Sequence, residues 1–230
     1  MKRTGGSDAA KRAAGESAAA TVSDGDVVGL GTGSTAAFAI RALGRAVDGG
    51  LDVRGVPTSF ASRELAREAG VPLATLDEAP RPDVAIDGAD QVLAEGGDCV
   101  KGGGAAHARE KVVDAAAERL LLVVDPSKEV DVLDAPVPVE VLPDARAPVA
   151  ARVREAGGDP TLRSAERKDG PVVTDNGNLV LDCAFGRVDE PAGLARTLSA
   201  TPGVVEHGLF VGLADEVHVG TADGVRVREP

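Results

Sequence analysis

The sequence predicts an α/β fold, with a parallel, right-handed sheet flanked by helices and a smaller α+β unit inserted into it. Three observations predict it. Short apolar strands alternate with alanine-rich helices up to about residue 124, the run Leu120–Val124 is apolar on both strand faces, and past Lys128 the rhythm becomes β-α-β-β-α-β. Strands apolar on both faces and separated by helices build a buried, Rossmann-like parallel sheet. The later order is that of a ferredoxin-like α+β unit. The first and last pieces do not fit the small unit, so the expected division is an α/β catalytic domain over 1–132 and 211–230, interrupted by a ferredoxin-like domain over 133–210.

Taken in order, 8–22 reads as a small-residue helix carrying Lys11 and interrupted at Gly15. A strand at 26–30 leads through the turn Gly31-Thr-Gly-Ser-Thr35 into a helix over 36–47, with Phe38, Ile40 and Leu43 inward. A second strand spans 51–56, and Ser59 caps a helix over 60–69 that Gly70 ends. Strands follow at 71–76 and 83–86, then a helix over 105–119 and the strand 120–124. The second unit reads as strand 137–142, helix 146–156, strand 161–166, a segment 171–174, the turn Asp175-Asn-Gly-Asn178, strand 179–184, helix 190–199 and strand 203–211. Two last strands, 216–219 and 225–228, join through Asp223-Gly224, a hairpin signal.

The chain of 230 residues is 43% hydrophobic, which suits a globular protein, and no apolar run approaches membrane-spanning length. Met1–Ser7 is polar with no apolar segment behind it, so no secretory signal is expected. Cys99 and Cys183 form no Cys-x-x-Cys pair, which suggests reduced thiols in a cytoplasmic protein. Acidic residues outnumber basic ones, 37 to 25, for a net charge of −12, so nucleic acid and anionic membranes are poor partners. The carboxylates are spread along the chain as a solvated coat. With arginine outnumbering lysine 19 to 6, this composition fits a protein working in high salt.

Chemistry concentrates in Lys101-Gly-Gly-Gly-Ala-Ala-His-Ala-Arg-Glu-Lys111. Three consecutive glycines weaken any regular element, so they form a loop, and the helix behind it offers free N–H groups to an anion. Lys101, the Gly102–Gly104 amides and Glu110 together suggest work on a negatively charged small molecule; a tight loop before a solvated helix is the plain alternative. Gly31-Thr-Gly-Ser-Thr-Ala36 reads as a phosphate cradle, a dinucleotide turn or simple turn chemistry, and its hydroxyls at Thr32, Ser34 and Thr35 suit a terminal phosphate or sugar hydroxyls better than a pyrophosphate. Asp87-Gly-Ala-Asp90 lies at a strand's carboxyl end, where open sheets bind ligands; it holds sugar hydroxyls or a metal, or merely caps a helix. The three histidines are scattered, so no metal is required, and His107 reads as a solvated side chain outside the site. Asp125-Pro-Ser-Lys128 leaves a lysine on the same side of the sheet. Three of only six lysines fall at Lys11, Lys101 and Lys128, where arginine would have served an undemanding surface position.

Together with 138–143, 173–178 and 202–210, these motifs resemble ribose-5-phosphate isomerase type A over nearly the whole chain, in order. The resemblance implies an enzyme that interconverts ribose 5-phosphate and ribulose 5-phosphate through an enediol in the non-oxidative pentose phosphate pathway. It implies no cofactor or metal, and a homodimer or homotetramer. By position, Glu110 is the base; Thr32, Gly33, Ser34, Thr35, Asp87, Gly88, Ala89, Asp90, Lys101, Gly102, Gly103, Gly104 and Lys128 bind substrate, and Lys11 extends the phosphate end. Such chemistry needs one carboxylate above two carbons, positive potential from Lys101 and the glycine amides at the enediolate oxygen, and a ring-opening acid, either Asp87 or Asp90. The sequence departs from the family at Gln91, where glutamate is usual, and at His107, more often apolar. A nicotinamide-dependent oxidoreductase, a sugar-phosphate sensor and a coenzyme A transferase are the competing classes. Bound dinucleotide, binding without turnover and acyl exchange would respectively mark them.

Overall fold

The computed structural model describes residues 6–167 and 169–230; Met1–Gly5 of the polar N-terminal stretch and Lys168 lie outside the described residues. Its main sheet has six strands in the order β14-β13-β6-β3-β1-β2. Five members, β1 (Val27–Leu30), β2 (Arg54–Pro57), β3 (Val84–Gly88), β6 (Leu120–Val124) and β13 (Glu216–Gly220), run parallel, with β2 at one edge, and β14 (Val225–Arg228) closes the other edge antiparallel. Every residue of β6 is buried, as its unbroken apolar run requires. The carboxyl ends of β1, β3 and β6 open on one edge and release Gly31–Thr35, Ala89–Asp90 and Asp125–Lys128 side by side.

Helix α1 (Asp8–Ala19), capped by Ser7, and α2 (Ala36–Asp48) pack on the sheet and on each other, and α3 (Phe60–Glu68) is closed by the Ser59–Ser62 capping box. Gly15 does not interrupt α1, contrary to expectation. It is buried at the contact with α2, where a Cβ would stand 2.8 Å from the Ala39 nitrogen. The strand expected at 71–76 shrinks to a single bridge from Leu73 to Gly55. Pro72 lacks the N–H a ladder needs, and only its carbonyl is used, by Gly55.

The second sheet has the order β11-β8-β10-β9, all antiparallel: β8 (Val137–Val141), β9 (Asp159–Leu162), β10 (Leu179–Ala184) and β11 (Val204–His207). With α5 (Arg146–Glu155) and α6 (Pro191–Ser199) it reproduces the β-α-β-β-α-β succession. The segment 171–174 contributes only isolated bridges, and β9 begins two residues before the expected strand.

A third, small sheet, β12-β5-β4-β7, was not expected. Its strands β4 (Gln91–Leu93), β5 (Cys99–Val100), β7 (Glu129–Val130) and β12 (Leu209–Phe210) have two or three residues each, too short to show a period. The strand expected over 203–211 breaks at Gly208, because β11 pairs with β8 and β12 pairs with β5. Gly208 takes the Pro138 carbonyl through its N–H (2.7 Å) and offers its own carbonyl to the Lys101 N–H (2.8 Å). A Cβ at 208 would overlap the Lys101 carbonyl oxygen and stand 2.7 Å from Pro138 Cδ. Gly208→Ala is therefore expected to cost about 1–3 kcal/mol by overpacking and to shift Lys101, read as a lower urea midpoint together with a raised KM.

Candidate active site

A cleft of about 90 Å³ opens at the carboxyl edge of the main sheet. The turn after β1 gives it Thr32, Gly33, Ser34 and Thr35; the end of β3 gives Gly88, Ala89 and Asp90. Lys101 and Gly102–Gly104 follow β5, Glu110 comes from α4 (His107–Ala116), Lys128 from the short 3-10 turn after β6, and Lys11 from α1. Segments far apart in sequence thus meet where the topology of the parallel sheet brings them.

Asp87 departs from the expected set. Its carboxylate is fully buried under the cleft and does not line it. One oxygen, Oδ1, accepts the N–H groups of Thr32 (3.1 Å) and Gly88 (2.7 Å), and Oδ2 lies 2.8 Å from Lys101 Nζ. At Gly31 a Cβ would overlap this carboxylate, which is why the hydroxyl-rich turn must begin on glycine. Asp87 thereby holds the Lys101 ammonium and the Thr32 backbone, while Asp90 is the aspartate that faces the cleft.

Lys101 is only 2% exposed and donates to the Gly88 carbonyl at 2.5 Å. Burial pulls its ammonium toward neutrality, but the acidic groups around it, Asp87 first, outweigh burial and raise it above the ordinary lysine value. It is a fixed cation. Glu110 is 4% exposed, with Oε2 3.7 Å from Lys101 Nζ. Burial, then the Asp87 charge, push its carboxyl up to about 8, against the pull of Lys101. The site pairs a permanent positive charge with a carboxyl that trades its proton near neutrality.

The glycine loop differs from a simple string of free amides. Gly103 donates its N–H to Asp90 Oδ2 at 2.7 Å, and Gly102 receives the Ala105 N–H and lies at φ 105°, where a Cβ would press on the His107 ring. Helix α4 begins at His107, two residues later than expected, and none of Ala105–Arg109 lines the cleft. The helix start that reaches the cleft is instead that of α2, which follows Thr35 directly, with Lys11 and Lys128 on the same cleft.

The profile of the family described as ribose 5-phosphate isomerase A (phosphoriboisomerase A) matches residues 54–224. The ribose-5-phosphate isomerase A of Halorubrum lacusprofundi is 70% identical, with 99% of each chain covered, and that of Haloarcula marismortui is 70% identical, with 98% of each covered. The chain belongs to the ribose 5-phosphate isomerase A family. Among solved structures, the isomerase from Methanocaldococcus jannaschii superposes with a TM-score of 0.92 at 44% identity, over 96% of this chain and 98% of that one. A D-ribose-5-phosphate isomerase in complex with phospho-erythronic acid superposes with a TM-score of 0.92 at 40% identity, over 96% and 97%.

Within this ribose 5-phosphate isomerase A fold, three contributors escaped the sequence reading. His107 is fully buried beneath the glycine loop rather than solvated, and burial, then the charges of Arg163 and Lys111, pull its imidazole down to about 3, so it is neutral. Arg163, just past β9, donates Nη1 to the carbonyls of Gly102 (2.8 Å) and Gly103 (3.3 Å) while Asp182 holds its Nε at 2.9 Å. The second sheet therefore grips the glycine loop that follows β5. Asp114 is buried one helical turn past Glu110. The only sequence signal for it was the like-charge i,i+4 pair Glu110–Asp114, which an exposed helix would disfavour. Gln91, where the family usually has glutamate, lies apart from the cleft. It donates to Asp134 Oδ1 (2.5 Å) and accepts the N–H groups of Asp134 (3.0 Å) and Ala135 (2.8 Å).

The raised Glu110 carboxyl has a consequence for stability. Its pKa in the folded protein, about 8, lies above the ordinary 4.5, so the native state binds the proton more tightly than the unfolded chain and loses stability as pH rises from 4.5 through 8. Glu110→Gln removes this loss. The variant is expected to match wild type near pH 4.5 and to melt on the order of 5 °C higher at pH 8, as followed by circular dichroism.

Proposed function

We propose that this chain interconverts D-ribose 5-phosphate and D-ribulose 5-phosphate, with Glu110 as the base that carries a proton between C1 and C2. The observation that carries the reading is the buried Glu110 carboxyl, pushed up to about 8 and facing the Lys101 ammonium at 3.7 Å across the cleft wall. A base of that strength abstracts a proton from carbon beside a carbonyl more effectively than an ordinary carboxylate. The ammonium of Lys101, fixed beforehand by Asp87 and the Gly88 carbonyl, supplies positive potential to the enediolate oxygen without rearranging. Asp90, on the cleft and tied to the Gly103 N–H, is the acid we assign to ring opening, with Asp87 holding Lys101 from below. Ser34, Thr35, Lys11 and Lys128 form the phosphate end at the start of α2, and Thr32 and Gly88–Ala89 line the sugar between the two.

The same reading places the reaction in the non-oxidative pentose phosphate pathway of the cytoplasm, in a homodimer or homotetramer. It divides the chain into a catalytic unit, 1–132 with 211–230, and a ferredoxin-like unit, 133–210. The two buried, free thiols agree with a reducing compartment. No helix among the described residues is long and apolar enough to cross a membrane. Among the described residues no three His, Cys, Asp or Glu side chains group as metal ligands, and the carboxylates at the cleft enclose an ammonium instead.

Incubating ribose 5-phosphate with the protein and EDTA in D₂O is expected to give ribulose 5-phosphate and deuterium at C2 of the recovered aldose. No conversion in either dilute buffer or molar salt overturns the reading. Glu110→Gln is expected to lose about 10²–10⁴ of kcat while still binding substrate, and wild-type kcat/KM to rise with pH toward about 8 as the base ionises. A near-wild-type rate in that variant would give the proton transfer to another group.

The net charge of −12 and relatives in Halorubrum, Haloarcula and Halobacterium support adaptation to high salt. Screening reaches about 3 Å at 1 M against about 10 Å at 0.1 M. The expected outcome is a melting temperature that climbs from dilute buffer to molar KCl, and a KM for the anionic substrate that does not rise with salt. A flat melting curve would remove the adaptation.

A further inference from the structure

The buried face of α4 inverts the usual arrangement. His107, Glu110 and Asp114 lie inward at spacings of three and four, whereas the apolar Val112 is 58% exposed. Glu110 and His107 belong to the site and its loop. Asp114 has no part in the proposed proton transfer. It is 2% exposed, and neither of its carboxyl oxygens meets a hydrogen-bond donor. The carboxylate of Asp87 lies within hydrogen-bonding reach of it. There Oδ2 likewise accepts no hydrogen bond, since the Lys101 ammonium, at 2.8 Å, pairs with it by charge and off the hydrogen-bond direction.

Two carboxylates in contact without a proton between them would be a buried like-charge pair. Full ionisation of Asp87, Glu110 and Asp114 around the single ammonium of Lys101 would leave two uncompensated charges away from water, at a cost no nearby donor offsets. A proton on Asp114 satisfies two of these three orphaned oxygens at once: the acid donates and Asp87 Oδ2 accepts. We propose that Asp114 is a positioning residue that stays a neutral carboxylic acid through the reaction and donates its proton in a hydrogen bond to Asp87, fixing the carboxylate that holds Lys101. The inference rests on the isomerase reading for its effect on turnover, but the protonation itself does not depend on that reading.

The groups facing Asp114 are Asp87 from the end of β3, Lys101 after β5 and Glu110 one turn back on α4; Asp90 acts on Glu110 from the cleft. The Cys99 thiol, which burial raises well above the ordinary value, is neutral and adds no charge. Burial, then Asp87, likewise hold the Asp114 carboxyl well above the usual aspartate range, despite the opposing pull of Lys101. With Asp114 neutral, Glu110 has no ionised carboxylate beside it on its own helix, and its proton exchange is set by burial, Asp87 and Lys101. Asparagine has the same size and keeps a donor for Asp87; alanine keeps none.

The decisive comparison uses Asp114→Asn and Asp114→Ala in the full chain. Infrared difference spectra of wild type minus Asp114→Asn, in the absence of substrate, are expected to show the C=O band of a protonated carboxyl throughout the working pH range. A carboxylate band in its place overturns the proposal, whether or not the protein isomerises ribose 5-phosphate. In turnover, Asp114→Asn is expected to leave the acid limb of the kcat/KM profile within about 0.3 of a pH unit, because no charge has been removed. A fall of that limb by about one unit or more would show that Asp114 was ionised beside Glu110, and sinks the idea. Asp114→Ala is expected to lose on the order of tenfold or more in kcat with KM little changed, as Asp87 and Lys101 lose their register. If Asp114→Ala folds and turns over like wild type, the positioning role is wrong; if it does not fold, the band and the asparagine profile still decide.

Discussion

The organising constraint of this molecule is an ammonium kept out of water. Lys101 is 2% exposed, and burial of that kind is tolerated only with a paired charge and satisfied donors. Asp87 supplies the charge, Gly88 the carbonyl, and Gly208 fixes the backbone that carries the side chain. Asp87 and Gly88 are the last two residues of β3, and Gly208 sits at the crossing between β11 and β12. Removing Asp87 alone would leave a buried cation without its partner, a loss typically of about 3–5 kcal/mol. The pair is a weak source of stability but a strict requirement on geometry.

Glu110 owes its chemistry to being on the losing side of that arrangement. Burial and the Asp87 carboxylate oppose its charge, and Lys101 only partly restores it, so its proton leaves near pH 8 instead of near 4.5. The same opposition makes the folded state less stable where Glu110 is most ionised. A cation pinned first to Asp87 can stabilise an oxyanion without collapsing onto the glutamate, because its strongest partner is already in contact at 2.8 Å, against 3.7 Å to Glu110.

The sequence was informative where a residue's surroundings are local or periodic. The run 120–124, the strand before Asp87 and the glycine loop after Lys101 each announce themselves within a few residues, and the β-α-β-β-α-β order follows from successive periods. The short strands β4, β5, β7 and β12 were invisible because two or three residues have no period, yet they bring Asp90 and Lys101 together. The depth of Asp87 was hidden for a related reason. Its position at a strand end was plain, but whether its carboxylate points into the cleft or under it depends on Lys101, which closes over it from the end of β5. Arg163 carried no signal at all, since its partners are the carbonyls of a loop some sixty residues away, and His107 looked solvated because the inverted face of α4 is set by packing rather than by composition.

The lysines also explain how an acidic chain works on an anion. A protein of net charge −12 repels a sugar phosphate at long range, and surface lysines could not reverse this. The three lysines on the cleft differ from surface charges in depth: Lys101 is 2% and Lys128 8% exposed, and Lys11 is half-buried on α1. Salt screens interactions between exposed charges over roughly 8–10 Å or more at ordinary ionic strength, and contacts in a buried cleft far less. Rising ionic strength therefore removes the repulsion from the coat while leaving the grip of the cleft largely intact. Lysine suits this role better than the arginine that dominates elsewhere in the chain. A compact ammonium fits over a carboxylate and against one carbonyl, where a planar guanidinium would need a fork of acceptors that the end of β3 does not provide.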